Sequence, residues 1–179
     1  MQQLNTTATR YDRTTMVFHW LTALLVVFQW LGAQVIDWFP RGPLRVDARS
    51  VHIAVGALLA ALLVGRILWR LTGGRRLPPP DRGVLNLVAK GTHAALYALL
   101  AAMVLLGLFL AWARGDNLFN FVAIPRFDPA NQSLPHQLQE WHGIVGYLIL
   151  GLAGAHAAAA LVHRFLWRDG VLGRMLPGR

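Results

Sequence analysis

Polar residues are scarce along most of this chain and crowd into a few short stretches. From Thr14 to Ile36, Val51 to Leu71, Val84 to Trp112 and Glu140 to Trp167, Leu, Val, Ala, Ile and aromatic residues run on with few charges. A helix crossing hydrocarbon needs about 20 mostly apolar residues, so the pattern predicts four spans, about 14–36, 51–71, 84–112 and 140–167. Polar or Pro/Gly-rich connections separate them: DWFPRGPLRVDARS, TGGRRLPPPDRG and RGDNLFNFVAIPRFDPANQSLPHQLQ. Pro78, Pro79 and Pro80 cannot continue a helix and set a firm boundary. Helices of a soluble bundle would be shorter and amphipathic. The first run is too long for the apolar core of a signal peptide, and no small-residue cleavage site follows it, so it reads as a retained span. The expectation is an all-α membrane protein, a single domain over residues 1–179 built as a bundle of four transmembrane helices.

Composition sharpens this. Hydrophobic residues make up 55% and charged residues 14% of the 179, against roughly 25% charged in a soluble domain; mean hydropathy is +0.44. The formal net charge of +9 raises nucleic acid as a partner, but the charges are sorted by side. Twelve of the 17 Lys and Arg residues fall in the N-terminal tail, the second connection with its flanks and the C-terminal tail. Arg41, Arg45, Arg49, Arg114 and Arg126 are the other five. That asymmetry marks the cytoplasmic side and places both termini there. Six tryptophans at or near span ends form the aromatic belt of a membrane protein. The basic clusters are thus explained by orientation and lipid contact, without nucleic acid. The absence of cysteine excludes disulfides, thiolate-held iron–sulfur clusters and covalent C-x-x-C-H haem attachment.

The remaining chemistry lies in seven histidines. Residues 141–156 read WHGIVGYLILGLAGAH, with His142 and His156 bracketing thirteen uncharged residues. On a helix their spacing of fourteen is about 21 Å and about four turns, so both rings project from nearly one face at two depths. His52 opens the second span at the depth of His142. His156 needs a partner from the cytoplasmic half, where both His19 and His93 lie. His163 is near the cytoplasmic end of the fourth span, and His136 sits in the third loop. Two imidazoles on either side of one iron is b-type haem ligation, which a helical bundle builds between facing helices. Gly143, Gly146, Gly151 and Gly154, and Ala54, Gly56 and Ala57 beside His52, would give a porphyrin room; they would equally allow close helix packing. A zinc site would want three or four ligands at one depth, whereas these histidines divide between two.

At this point the chain resembles the bacterial cytochrome b561 family, four-helix dihaem membrane proteins, along its whole length. The similar stretches are FHW at 18–20, WFPRG at 38–42, HIAVG at 52–56, HAALY at 93–97, ARGDN at 113–117, WHGIVGY at 141–147 and GLAGAHAAAALVHRFLW at 151–167. The cytochrome b subunits of membrane formate dehydrogenases and hydrogenases share the core pattern. The resemblance implies a bundle enclosing two haem b groups. His52 and His142 would ligate the periplasmic haem, and His19 with His156 the cytoplasmic one. Depth alone leaves His19 and His93 open; the family pattern selects His19. Short stand-alone members resemble a superoxide oxidase that passes electrons to ubiquinone, and the histidine seven residues beyond the last ligand, here His163, would lie beside the quinone.

Two functions follow from that resemblance. In the first, superoxide gives one electron at a time to the periplasmic haem and ubiquinone is reduced near the cytoplasmic one, in a bacterial inner membrane. Superoxide is an anion, and a cationic vestibule would steer it. The five outer arginines are candidates if they cluster, since Asp37, Asp47, Asp116, Asp128 and Glu140 otherwise balance them. In the second, the chain is a relay or anchor subunit that exchanges electrons with a partner dehydrogenase or periplasmic redox protein, docked on the third loop.

Overall fold

The computed structural model describes residues 10–80 and 82–177. Four long helices account for most of them: α1 (Arg13–Ile36), α2 (Pro43–Thr72), α3 (Gly83–Arg114) and α4 (Leu134–Val162). Each is long and apolar enough to cross a membrane. The α1–α2 and α3–α4 connections lie at one end of the bundle, here the hairpin end. The α2–α3 connection and the C-terminal segment lie at the other, the basic end.

Two helices begin earlier than the apolar runs. α2 starts at Pro43 and α4 at Leu134, each with proline in its first two positions. Proline has no N–H to leave unsatisfied there and its fixed φ suits the first turn. The segments PLRVDARS and LPHQLQ are helical but too polar to register as hydrocarbon-spanning. His136 therefore stands in the first turns of α4, exposed, and not in a loop. Gly115 closes α3 with φ +70°, its N–H reaching the carbonyls of Ala111 and Trp112, the left-handed C-terminal cap that glycine makes without steric cost.

The third connection carries a small antiparallel hairpin, β1 (Asn117–Leu118) with β2 (Val122–Ala123). Phe119 and Asn120 at its tip both have positive φ, 51° and 60°. Ser50 of α2, fully buried, pins this hairpin: its hydroxyl donates to the Val46 carbonyl at 2.7 Å and accepts from the Phe119 amide at 2.8 Å. Asn120 Nδ2 adds a bond of 2.8 Å to Asp47 Oδ1.

Between the two ends lies one apolar layer. Leu59 and Leu63 of α2, Leu100 of α3 and Ile149 of α4 are buried against one another, with Leu25 and Val26 of α1 packed on them. Ile149 is seven residues from both His142 and His156, so it projects from the same face midway between them. Outside this layer, Leu24, Val64, Leu105 and Leu148 are exposed. An apolar surface of this extent is a contact surface, and on helices of this length the contact is lipid.

Candidate functional site

The histidines assemble in pairs. His52 of α2 and His142 of α4 face each other at the hairpin end, ring centres 6.2 Å apart and planes at 72°. The glycines around them serve close approach: a Cβ on Gly107 of α3 would stand 3.2 Å from His142 Cε1. Gln29 of α1 holds the His52 backbone, donating Nε2 to its carbonyl at 2.8 Å. His52 Nδ1 is buried without a hydrogen-bond partner, so it is not bridging helices through that nitrogen.

At the basic end His156 has two neighbours. His19 of α1 stands 6.2 Å from it, ring centre to ring centre, and His93 of α3 stands 5.1 Å from it. The difference bears on what fits between. An imidazole nitrogen sits about 2.0 Å from a ligated metal and the ring centre about 1.2 Å behind it, so two rings on opposite sides of one ion have centres about 6.4 Å apart. The His52–His142 and His19–His156 separations would suit an iron between the rings; the His93–His156 separation is about 1 Å shorter. Among the described residues no three His, Asp or Glu side chains gather as a chelated metal ion would need. Beside His19, Arg66 of α2 places Nη2 3.4 Å from His19 Nδ1, donates Nε to the Tyr97 hydroxyl at 2.7 Å and lies 5.2 Å over the Tyr97 ring.

His163 stands apart from both pairs, where α4 passes into a single π-helical turn, His163–Trp167. Such turns recur at functional sites because they re-aim side chains. Arg168 then takes a left-handed conformation, φ 54°, and the chain doubles back. Asp169 thereby brings Oδ2 to 2.5 Å from His163 Nδ1, while its Oδ1 accepts from the Val171 amide at 3.1 Å. Desolvation raises the Asp169 pKa, but the hydrogen bonds from His163 and Val171 outweigh it and hold the carboxyl below its usual range. Trp167 stacks edge-on against His163 at 4.5 Å.

The prokaryotic cytochrome b561 family matches residues 10–178 of this chain. The chain belongs to that family. It is 28% identical over 174 residues to a Yersinia pestis protein named "Probable superoxide oxidase CybB", covering 94% of this chain and 96% of that one. It is likewise 28% identical over 177 residues to cytochrome b561 homolog 1 of Escherichia coli (strain K12), covering 95% and 98%. A cytochrome b561 is a multi-pass bacterial membrane protein that binds b haem and transfers electrons, and that much holds for this chain.

The outer arginines of this cytochrome b561 do not act as one group. Arg45 is committed to Asp37, 3.5 Å away, and to the carbonyls of Phe39 and Asp37. Arg126 leans on the Ala113 carbonyl. Arg49 and Arg114 converge on the buried carboxylate of Asp116, at 3.0 and 3.6 Å. Arg114 also donates to Gln139 Oε1 at 2.8 Å. Asp116, Asp169 and Arg66 are the site residues that sequence reasoning did not single out. Each depends on a contact between distant positions or on an irregular turn, except that Arg66 carried one readable signal. It is fourteen residues after His52, the spacing that relates His142 to His156.

Proposed function

We propose that this cytochrome b561 moves electrons across the bacterial inner membrane through two b haems, oxidising superoxide outside and reducing ubiquinone near the cytoplasmic face. The observation that carries the reading is the pair of histidine pairs, both with ring centres 6.2 Å apart and about 21 Å apart along α4. His52 and His142 would hold the outer iron, and His19 and His156 the inner one. The basic end faces the cytoplasm under the positive-inside rule.

Haem iron supplies reversible one-electron chemistry, and the protein supplies the rest. Neutral imidazoles ligate without bringing charge into hydrocarbon. Leu59, Leu63, Leu100 and Ile149 separate the two levels and keep water from between them. Arg49 and Arg114 carry one more positive charge than Asp116 removes, which draws an anion to the outer pair. Two superoxide anions each lose an electron and leave as dioxygen. Ubiquinone accepts those two electrons with two protons. His163 hydrogen-bonds a quinone carbonyl and passes on a proton, with Asp169 holding its other ring nitrogen.

The test uses the purified full chain in detergent with a superoxide source and a short-chain ubiquinone. The expected result is haem reduction by superoxide alone and reoxidation by the quinone. Haems that are reduced only when a partner dehydrogenase or redox protein is added would replace this reading with the relay subunit.

A further inference from the structure

We infer that Arg66 is the binding site for a carboxylate of the group that His19 and His156 hold, and that its charge sets the electron affinity of that group. The inference rests on the two-haem reading above. On α2, Arg66 lies fourteen residues beyond His52, so it projects from the same helix face, about 21 Å deeper. On α4 the same interval leads from His142 to His156. At the basic end, α2 therefore offers a guanidinium where the hairpin end has an imidazole. The contact at 3.4 Å with His19 Nδ1 places it against the inner pair.

A cation within a membrane-spanning helix is costly unless an anion or a polar group meets it. Arg49 and Arg114 meet Asp116. Among the described residues no carboxylate lies within ion-pair distance of Arg66; the ion pairs there involve Arg45, Arg49, Arg114 and His163. Arg66 has five N–H donors and no acceptor. One goes to the Tyr97 hydroxyl, which is neutral. The contact with His19 adds nothing when that ring ligates, because the nitrogen not bound to metal then carries the proton. The Tyr97 ring centre also lies 5.2 Å from the guanidinium carbon, and the donors that Tyr97 does not take keep the planar fork geometry that matches a carboxylate. Haem b carries two propionate carboxylates, and nothing else in the proposed reading brings an acid to this depth.

The experiment is potentiometric. Full-length wild type, R66Q and R66K are titrated with both haems bound, and each is also loaded with haem b dimethyl ester in cells unable to make haem. R66Q is expected to lower the reduction equilibrium of the inner haem about tenfold, a shift of 59 mV for one electron, with the outer haem unmoved and R66K nearer wild type. Loss of the inner haem alone in R66Q, with both retained in R66K, supports the inference equally. Wild type and R66Q should hold the ester equally weakly at the inner site, because the esterified propionate no longer pairs with the guanidinium. An unchanged potential in R66Q overturns the inference. So does an ester that wild type holds as tightly as native haem, which would mean that Arg66 meets no propionate. Loss of both haems in both variants also overturns it, making Arg66 a packing residue. A wild type with one haem per chain would instead remove the reading on which the inference rests.

Discussion

The two ends of this bundle place paired histidines in opposite settings. At the hairpin end two cations meet a carboxylate within the protein: Arg49 and Arg114 share Asp116, and Ser50 fastens β1 and β2 over α2. At the basic end Arg66 meets, among the described residues, a phenol and an imidazole, a third histidine stands at 5.1 Å from His156, and α4 passes into a π-turn before doubling back. A protein folds its own polar groups into closure where it needs only an electron to enter. Under the proposed reading a quinone and its protons are handled at the basic end, where groups stay available. On this view the hairpin end is rigid and the basic end adaptable.

Single substitutions in the proposed ligand set break the comparison most sharply. H142A should remove only the outer haem and H156A only the inner one, read as a fall from two haems per chain to one. H93A should keep both, because its ring stands closer to His156 than two rings on opposite sides of one iron would. Should H93A lose the inner haem while H19A keeps it, the two ends differ in ligand order as well as in surroundings.

The next largest effect is expected at Asp116. Its carboxylate is 5% exposed between two guanidinium groups. Removing one partner of such a buried network typically costs about 3 kcal/mol. D116A should lower thermal stability by about that amount and loosen the hairpin, with the outer haem released first on heating. Release of the inner haem first would contradict a rigid hairpin end.

The four spans were legible because hydrocarbon imposes one long apolar run per helix, and the histidine levels because a spacing of fourteen survives any helix rotation. The extra turns of α2 before Val51 were hidden because they lie beyond the apolar run. The hairpin was hidden because its tip uses Phe119 and Asn120 where Asn-Gly would have announced it. Asp116 and Arg49 are 67 residues apart, and no local pattern pairs them. Asp169 lies six residues after His163, which is not a shared face of an α-helix. Only the π-turn and the left-handed Arg168 bring the two together. Depth alone left His19 and His93 as alternatives, and a difference of about 1 Å in ring separation lies beyond what spacing can resolve.

At the basic end, H163A should leave both haem spectra intact and their reduction by superoxide unchanged. Their reoxidation by short-chain ubiquinone should slow about a hundredfold, the lower range for loss of a general acid. D169N should slow it less, about tenfold, as expected for one hydrogen bond to a charged group. Reoxidation at the wild-type rate in H163A would put the quinone elsewhere.

The smallest effect concerns how the basic end is held while remaining adaptable. Asp12 caps α1, its Oδ1 accepting from the Thr15 amide at 2.8 Å and Oδ2 from the Thr15 hydroxyl at 2.7 Å. The same carboxylate accepts from Trp69 Nε1 near the end of α2, at 3.2 Å, and from the Arg75 amide at 2.9 Å. It thus ties two helices and a connection at one point. Desolvation raises its pKa, but these bonds outweigh it and bring it down from 3.8 to about 2. The depressed pKa means that the folded state favours the ionised form. The stabilisation is therefore present in full above pH 3.8 and is lost as the pH falls through about 2. D12A should cost about 1 kcal/mol at neutral pH, the usual value of an N-cap. Thermal melts of wild type and D12A should converge as the pH falls from about 4 toward 2. A difference that persisted undiminished at the acid end would mean that Asp12 acts through packing rather than through its charge.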